Sequence, residues 1–129
     1  MNFQKKDINF LIIESNQSDL EAIKKQLKAA FPESLFFIAH SMVEANEFLD
    51  GTILLNIILI DASIFDGDKN LLEYACSNSD LPIILLCDFD KEEFCNGLLS
   101  DKILDYIVKE NSSKNLLSKT YKTASADIN

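Results

Sequence analysis

A chain of 129 residues with 47% hydrophobic and 26% charged residues is predicted to form a single globular domain rather than a disordered segment. Its formal charge of −9 comes from 21 acidic residues against 12 basic ones, all lysine, so it offers no basic surface for nucleic acid or anionic lipid. No apolar run approaches the length of a membrane span, and Cys76, Cys87 and Cys95 fit neither a disulfide framework nor a zinc ribbon. These features predict a soluble cytoplasmic protein with free thiols.

Five short apolar runs recur along the chain and predict five β-strands. They are nearly continuous rather than alternating, which is typical of strands that are covered on both faces of a sheet. The runs occupy residues 8–13, 35–39, 54–60, 83–87 and 103–108.

Helical patterns follow each of these runs, and each helix is expected to begin at a polar capping residue. The caps are predicted within 16–19 for the first helix and at the following residues for the others: Ser41, Asp68, Asp90, and Ser112 or Ser113. The apolar faces of the five helices are, in chain order, Leu20, Ile23, Leu27 and Phe31; Met42, Ala45 and Leu49; Leu71, Leu72, Ala75 and Cys76; Phe94, Leu98 and Leu99; Leu116, Leu117 and Tyr121. Pro32 is expected to end the first helix and Gly51 the second.

The alternation of strand and helix predicts an α/β fold with a central parallel sheet and helices on both sides. Because crossovers between parallel strands are right-handed, five such units favour a flavodoxin-like three-layer sandwich with strand order 2-1-3-4-5. We expect one domain over residues 1–129, with a core over about 8–122 and a frayed tail at 123–129.

Polar residues follow four of the predicted strands, at the point where each strand ends. In this strand order the carboxyl ends meet at one edge of the sheet, where open α/β proteins bind ligands. A single charge there would mark only the exit of a strand from the core, but two acids and a lysine on neighbouring strands predict a functional site. The residues are Glu14 and Ser15, Asp61, Cys87 and Asp88, and Lys109.

Over roughly residues 8–122 the chain resembles the CheY-like receiver domain of two-component response regulators. The resemblance rests on four stretches, FLIIE, ILIDASIFDG, LPIILLC and DYIVK, which begin at Phe10, Ile58, Leu81 and Asp105. It implies the same 2-1-3-4-5 sheet and a role in phosphorelay signalling rather than an enzymatic activity.

The resemblance also implies the roles of several site residues. Asp61 would accept the phosphoryl group, and Lys109 would pair with the phosphoryl oxygens. Mg²⁺ would be held by Glu14, Asp61 and the backbone carbonyl of Ser63. These residue types suit the chemistry, because a carboxylate can carry a phosphoryl group as an acyl phosphate while Mg²⁺ and an ammonium group neutralise its oxygens.

A conformational switch and two kinds of partner are implied as well. Cys87 occupies the position of the switch hydroxyl, and Tyr106 that of the aromatic switch residue on the face formed by helix 4, strand 5 and helix 5. The expected partners are a histidine kinase or phosphotransfer protein and a downstream protein that binds this face.

Several positions depart from the family pattern, including Phe65, which stands where a proline often follows the phosphoacceptor. Ser15 is neutral where a second acid is expected, so Mg²⁺ binding should be weak. The thiol of Cys87 is a weak hydrogen-bond donor in place of a hydroxyl. Asp88 either replaces the missing metal ligand or crowds the phosphoryl pocket. Glu110 stands where a proline usually makes a cis bond, so we expect a trans bond after Lys109.

Two readings of the site therefore stay open. The chain is either a working phosphoacceptor receiver or a degenerate receiver that acts as a phosphorylation-independent interaction module. Enzymatic readings have less support: a dehalogenase-type phosphatase would need an aspartate at Ser63, and a flavodoxin would need a glycine-rich or threonine-rich loop after the first strand. We interpret Cys87 as a buried apolar residue rather than a redox thiol, and His40 as a loop residue.

Overall fold

In the computed structural model, which describes residues 8–66, 68–77, 79–109, 119 and 122, five parallel strands form one sheet in the order β2-β1-β3-β4-β5. The predicted α/β fold and strand order are confirmed. The strands are β1 (Phe10–Ile13), β2 (Phe36–Ala39), β3 (Ile57–Asp61), β4 (Ile83–Cys87) and β5 (Ile103–Val108).

Four helices lie between the strands. They are α1 (Gln17–Ala30), α2 (Met42–Ala45), α3 (Lys69–Ser77) and α4 (Glu92–Gly97). Lys119 and Lys122 are helical as well. The remainder of the predicted fifth helix, including Ser112, Ser113, Leu116, Leu117 and Tyr121, lies outside the described residues, as do Glu110 and the 123–129 tail. None of the described helices is both long and apolar enough to cross a membrane.

Alternate residues of each central strand point to opposite faces of the sheet, and both faces are covered. Phe10 and Ile12 of β1 pack with Leu20, Ile23 and Leu27 of α1 and with Phe31 just after it. Leu11 and Ile13 pack into the other layer, which contains residues of α2, α3 and α4. Every residue of β1, β3 and β4 is buried. The apolar runs are therefore continuous because the strands are covered on both faces, as the sequence predicted.

Three predicted helix caps are confirmed by side-chain hydrogen bonds to the backbone. Asn16 Oδ1 accepts from the backbone N–H of Asp19 at 2.9 Å, and Asp68 Oδ1 accepts from that of Leu71 at 3.0 Å. Ser41 also caps α2, since its Oγ accepts from the backbone N–H of Glu44 at 3.2 Å. These contacts satisfy backbone donors that have no partner within the first turn of a helix.

The second helix is shorter than predicted. It ends at Ala45, and the chain continues through tighter turns in which the N–H of Phe48 donates to the carbonyl of Ala45 and that of Leu49 to Asn46. Such bonds to the third preceding residue close a narrower coil than an α-helix. Gly51, with φ of 94°, ends this segment.

The predicted start of the fourth helix is wrong, and of its predicted inward face only Leu98 packs against the core. A 3₁₀ turn over Phe89–Lys91 comes first, so Asp90 lies within that turn and no side chain caps α4. In the short helix that follows, Cys95 is fully buried, whereas Phe94 is 43% exposed and Leu99 39% exposed. The smaller cysteine, rather than Phe94, therefore belongs to the buried core.

The third strand begins three residues later than predicted. Leu54, taken as its first residue, is 77% exposed. Asn56 instead pairs with Asn9, since its N–H donates to the Asn9 carbonyl at 2.9 Å and its Oδ1 accepts from the Asn9 N–H at 2.7 Å. This pairing holds the chain ahead of β3.

The backbone of Gly51 provides a test of the turn after α2. Gly51→Ala is expected to lower the free energy of unfolding by about 1–2 kcal/mol, because its positive φ disfavours a Cβ. No atom lies within 4 Å of an added Cβ at either Gly51 or Gly97, so crowding is excluded at both. Gly97→Ala in α4 is the control and should not destabilise the protein. Urea denaturation measures the free energy of unfolding of both variants. Equal losses in the two would contradict the role of the positive φ at Gly51.

Candidate functional site

The carboxyl ends of the strands bring the predicted site residues together. β1 pairs with β3 so that Ile13 lies opposite Ile60, which places Glu14 beside Asp61. On the far side of β3, β4 and then β5 follow in the sheet, and Lys109 comes directly after β5. The predicted convergence of two acids and a lysine is confirmed.

The ammonium group of Lys109 lies at the centre of the site. Its Nζ is 2.7 Å from Asp61 Oδ2, 2.8 Å from Asp19 Oδ2 and 3.0 Å from Glu14 Oε1, with Asp88 Oδ1 farther away at 3.8 Å. Burial opposes the charge on Lys109, but the bonds to Asp19, Asp61 and Glu14 outweigh it and raise the pKa of the lysine. Lys109 is therefore a fixed cation surrounded by carboxylates.

Asp61 is nearly inaccessible to solvent, with 4% of its surface exposed. Its Oδ1 accepts a hydrogen bond from the backbone N–H of Ser63 at 2.9 Å, and its Oδ2 accepts one from Lys109 at 2.7 Å. Burial alone would raise the pKa of Asp61, but the neighbouring Glu14 side chain and the hydrogen bonds from Lys109 and Ser63 hold it below the ordinary value. The carboxylate is therefore kept ionised, as a nucleophile requires.

Glu14 is fully buried, and its pKa is shifted in the opposite direction from that of Asp61. Its Oε2 accepts a hydrogen bond from the backbone N–H of Asn16 at 3.1 Å, whereas its Oε1 has no hydrogen-bond partner. The 3.0 Å approach of Lys109 to Oε1 is an ion pair without hydrogen-bond alignment. Burial, followed by the neighbouring side chain of Asp61, raises the pKa of Glu14 to about 7.

Asp19 belongs to this site, although sequence reasoning placed it only among the candidate helix caps. It lies in the first turn of α1, and one oxygen from each of Glu14, Asp19 and Asp61 lies within 4.8 Å of the others. The available signal was the short connection between β1 and α1, which forces an acid in the first turn to lie near the strand ends.

A cavity of about 140 Å³ opens beside Asp61. Its lining is mixed in charge and includes Asp61, Ala62, Ser63, Asp66, Asp88, Lys91 and Phe94. The carbonyl of Ser63, predicted as a metal ligand, accepts a hydrogen bond from the backbone N–H of Asp66 at 3.1 Å. The metal role of this carbonyl stays a prediction.

Cys87 is fully buried at the end of β4. Its Sγ donates to the backbone carbonyl of Asp88 at 3.2 Å. The side chain of Asp88 is 51% exposed. All three cysteines are free, as expected.

Tyr106 on β5 is held by contacts on the side of α4 and by Lys119. Its hydroxyl donates to Glu92 Oε2 at 2.8 Å. The Nζ of Lys119 lies 5.4 Å from the centre of the Tyr106 ring and donates to the Tyr106 carbonyl at 3.0 Å. His40, by contrast, directly follows β2, and its Nδ1 lies 3.1 Å from Glu44 Oε1.

No family model matches the sequence, and no curated protein matches it. Solved structures do match. The N-terminal domain of a response regulator/sensory box/GGDEF three-domain protein from Carboxydothermus hydrogenoformans has a TM-score of 0.71 at 18% identity, over 94% of this chain and 99% of that one. A two-component response regulator from Clostridium difficile has a TM-score of 0.74 at 18% identity, over 91% and 95%.

A third similar structure is a CheY-like response regulator receiver domain protein from Methanospirillum hungatei JF-1. Its TM-score is 0.66 at 18% identity, over 92% of this chain and 94% of that one. All three comparisons cover nearly the whole chain with the same layered α/β architecture. The chain therefore has the CheY-like fold of response regulator receiver domains.

Proposed function

We propose that this protein is a phosphoacceptor receiver in two-component signalling and not an enzyme. In this proposal a histidine kinase or phosphotransfer protein donates a phosphoryl group to Asp61. The main support for this proposal is the ionised Asp61 carboxylate. It lines a cavity, and the Nζ of Lys109 lies 2.7 Å from its Oδ2. An ammonium group fixed at a carboxylate nucleophile suits a reaction in which charge on phosphoryl oxygens must be neutralised.

The transfer follows from these positions. An oxygen of Asp61 attacks the phosphorus of a phosphohistidine, so an O–P bond forms while the N–P bond breaks and the imidazole nitrogen keeps the electron pair. The product is an acyl phosphate on Asp61. Lys109 is already within hydrogen-bond distance of the nucleophile, so it can follow the negative charge with little reorganisation.

Mg²⁺ fits the residues present, because Mg²⁺ prefers oxygen ligands and two carboxylates meet here. Glu14 and Asp61 would hold it, together with the carbonyl of Ser63. The buried Oε1 of Glu14, which has no hydrogen-bond partner, is an oxygen that a cation would satisfy. When bound, Mg²⁺ supplies positive charge to the phosphoryl oxygens. Ser15 adds no carboxylate, so the proposed affinity is weak.

A second candidate function is a phosphorylation-independent interaction module. The hydrogen bonds of the two switch positions favour it. The Cys87 thiol is hydrogen-bonded to a backbone carbonyl, and Tyr106 is hydrogen-bonded to Glu92 and Lys119. A switch residue held in this way would present the same surface whatever the state of Asp61.

In either case we propose that a downstream protein binds the α4–β5 face, defined here by Phe94, Leu104 and Tyr106. Phe94 and Leu104 are 43% and 46% exposed, so they offer apolar contact area. We place this role in the cytoplasm, where free thiols stay reduced. The proposal includes no nucleic-acid or membrane partner, because the chain carries a charge of −9 and no arginine.

The test is intact mass after incubation with a small-molecule phosphodonor and Mg²⁺. A single phosphoryl adduct is expected on the wild type and none on Asp61→Asn. Asp66→Asn is the matched control, because Asp66 lines the same cavity and should leave the adduct in place. If the wild type forms no adduct and binds no beryllofluoride, the phosphoacceptor proposal fails and the interaction module takes its place.

A further inference from the structure

We propose that Asp19 is a carboxylate ligand of the divalent-cation site, in the role that Ser15 cannot fill. The inference deepens the proposed function, because it concerns the same Mg²⁺ site beside Asp61. Neither the strand-end pattern nor the family resemblance assigns a metal role to Asp19, which lies on α1 rather than on the loop directly after β1.

The spacing of the oxygens carries the first step. One carboxylate oxygen from each of Glu14, Asp19 and Asp61 lies within 4.8 Å of the other two. Mg²⁺ holds octahedral ligands at about 2.0–2.1 Å, so neighbouring ligand oxygens lie about 3 Å apart and opposite ones about 4.2 Å apart. Small side-chain movements therefore bring the three oxygens into one coordination shell.

The second step is an unsatisfied atom inside this cluster. Glu14 is fully buried, and its Oε1 has no hydrogen-bond partner. A buried acceptor without a donor is unfavourable, and more so when it is charged. The site already holds one cation, since Lys109 Nζ lies 3.0 Å from this oxygen, but the contact lacks hydrogen-bond alignment. A divalent ion between the carboxylates would satisfy Oε1 directly.

The third step separates Asp19 from the other candidate, Asp88. Asp88 is 51% exposed, and its nearest oxygen is 3.8 Å from Lys109 Nζ. Asp19 is 38% exposed and lies 2.8 Å from the same atom. The cap of α1 also fixes Asp19, because its backbone N–H donates to Asn16 Oδ1 at 2.9 Å. Asp19 is therefore both closer to the cluster and more firmly positioned.

A cation at Asp19 and Glu14 would replace two of the three short contacts that Lys109 makes. The contact with Asp61 Oδ2 at 2.7 Å would remain, and it is the one that phosphoryl transfer uses. Metal binding would in this way release Lys109 from the α1 side of the site.

The test is titration of the whole protein with Mn²⁺, followed by electron paramagnetic resonance, and with Mg²⁺ by calorimetry, both without a phosphodonor. A pH of 8 keeps Glu14 ionised, because its pKa is about 7. Asp19→Asn is expected to weaken binding about tenfold or more, the loss typical of altered metal-site groups. Asp88→Asn is the matched control and should change the affinity less than about threefold, within the range of exposed-charge effects.

Asp19→Glu keeps a carboxylate on α1 and should retain binding that Asp19→Asn loses, provided that circular dichroism shows both to be folded. The inference is overturned if Asp19→Asn binds Mn²⁺ as tightly as the wild type, if Asp88→Asn carries the loss, or if the wild type binds neither ion. If Asp61 forms the phosphoryl adduct but metal binding does not depend on Asp19, only the inference about Asp19 is rejected. If metal binding depends on Asp19 but no adduct forms, only the proposed phosphoryl transfer is rejected.

Discussion

Lys109→Met is expected to lower the free energy of unfolding by about 3–5 kcal/mol at pH 8, the cost of leaving buried charges without their partner. The side chain of Lys109 is only 11% exposed, and its ammonium group is within 3.0 Å of oxygens from Glu14, Asp19 and Asp61. Without it, three carboxylates within 4.8 Å of one another would repel with no cation among them. Urea denaturation measures the loss.

The loss should shrink as the pH falls towards 4, because protonation removes the repulsion between the carboxylates. Lys102→Met is the matched control. Lys102 Nζ donates to the Ser79 carbonyl at 2.7 Å and lies 3.3 Å from Asp80, but its side chain is 35% exposed. Its replacement should cost less than about 1 kcal/mol. Equal losses for the two lysines, or a Lys109→Met loss that does not depend on pH, would contradict a structural role for the buried cation.

The strands could be predicted from the sequence because the apolar run that forms each strand is a local feature. Their order followed from the right-handed crossovers between them. Residues such as Ile58 and Leu59 alternate between two covered faces, so the run is apolar throughout. Once the order of strands was set, Glu14, Asp61 and Lys109 had to meet, since each directly follows or closes a strand at the same edge.

The errors arise where the cause is not local. Asp19 joins the site through Lys109, 90 residues away, and the short connection between β1 and α1 is the one local sign that separates it from a helix-capping acid. Cys95 is buried in place of Phe94, and a 3₁₀ turn precedes α4, because apolar periodicity does not reveal where a short helix begins. In both cases the tertiary structure decides between options that the sequence leaves equal.

The stability of the wild type is expected to fall as the pH rises from about 5 to 8, and Glu14→Gln should remove most of this slope. Burial and the neighbouring side chain of Asp61 raise the pKa of Glu14 from 4.5 to about 7 in the folded protein. Between these values the folded state binds the proton that the unfolded chain has released, so stability decreases with pH. A shift of this size corresponds to about 3 kcal/mol at most.

Asp61 does not reverse this trend, because its pKa is lowered and its contribution is already complete above its ordinary value of 3.8. Urea denaturation of the wild type and Glu14→Gln at pH 5 and pH 8 measures the difference. Glu21→Gln is the control: Glu21 is exposed on α1, where it bonds to Gln17, and should keep the wild-type slope. If Glu14→Gln keeps that slope as well, Glu14 is ionised throughout this range and its pKa is not raised. If the slope disappears, binding of a cation at Glu14 near neutral pH must release a proton, which titrations in buffers of different ionisation enthalpy would detect.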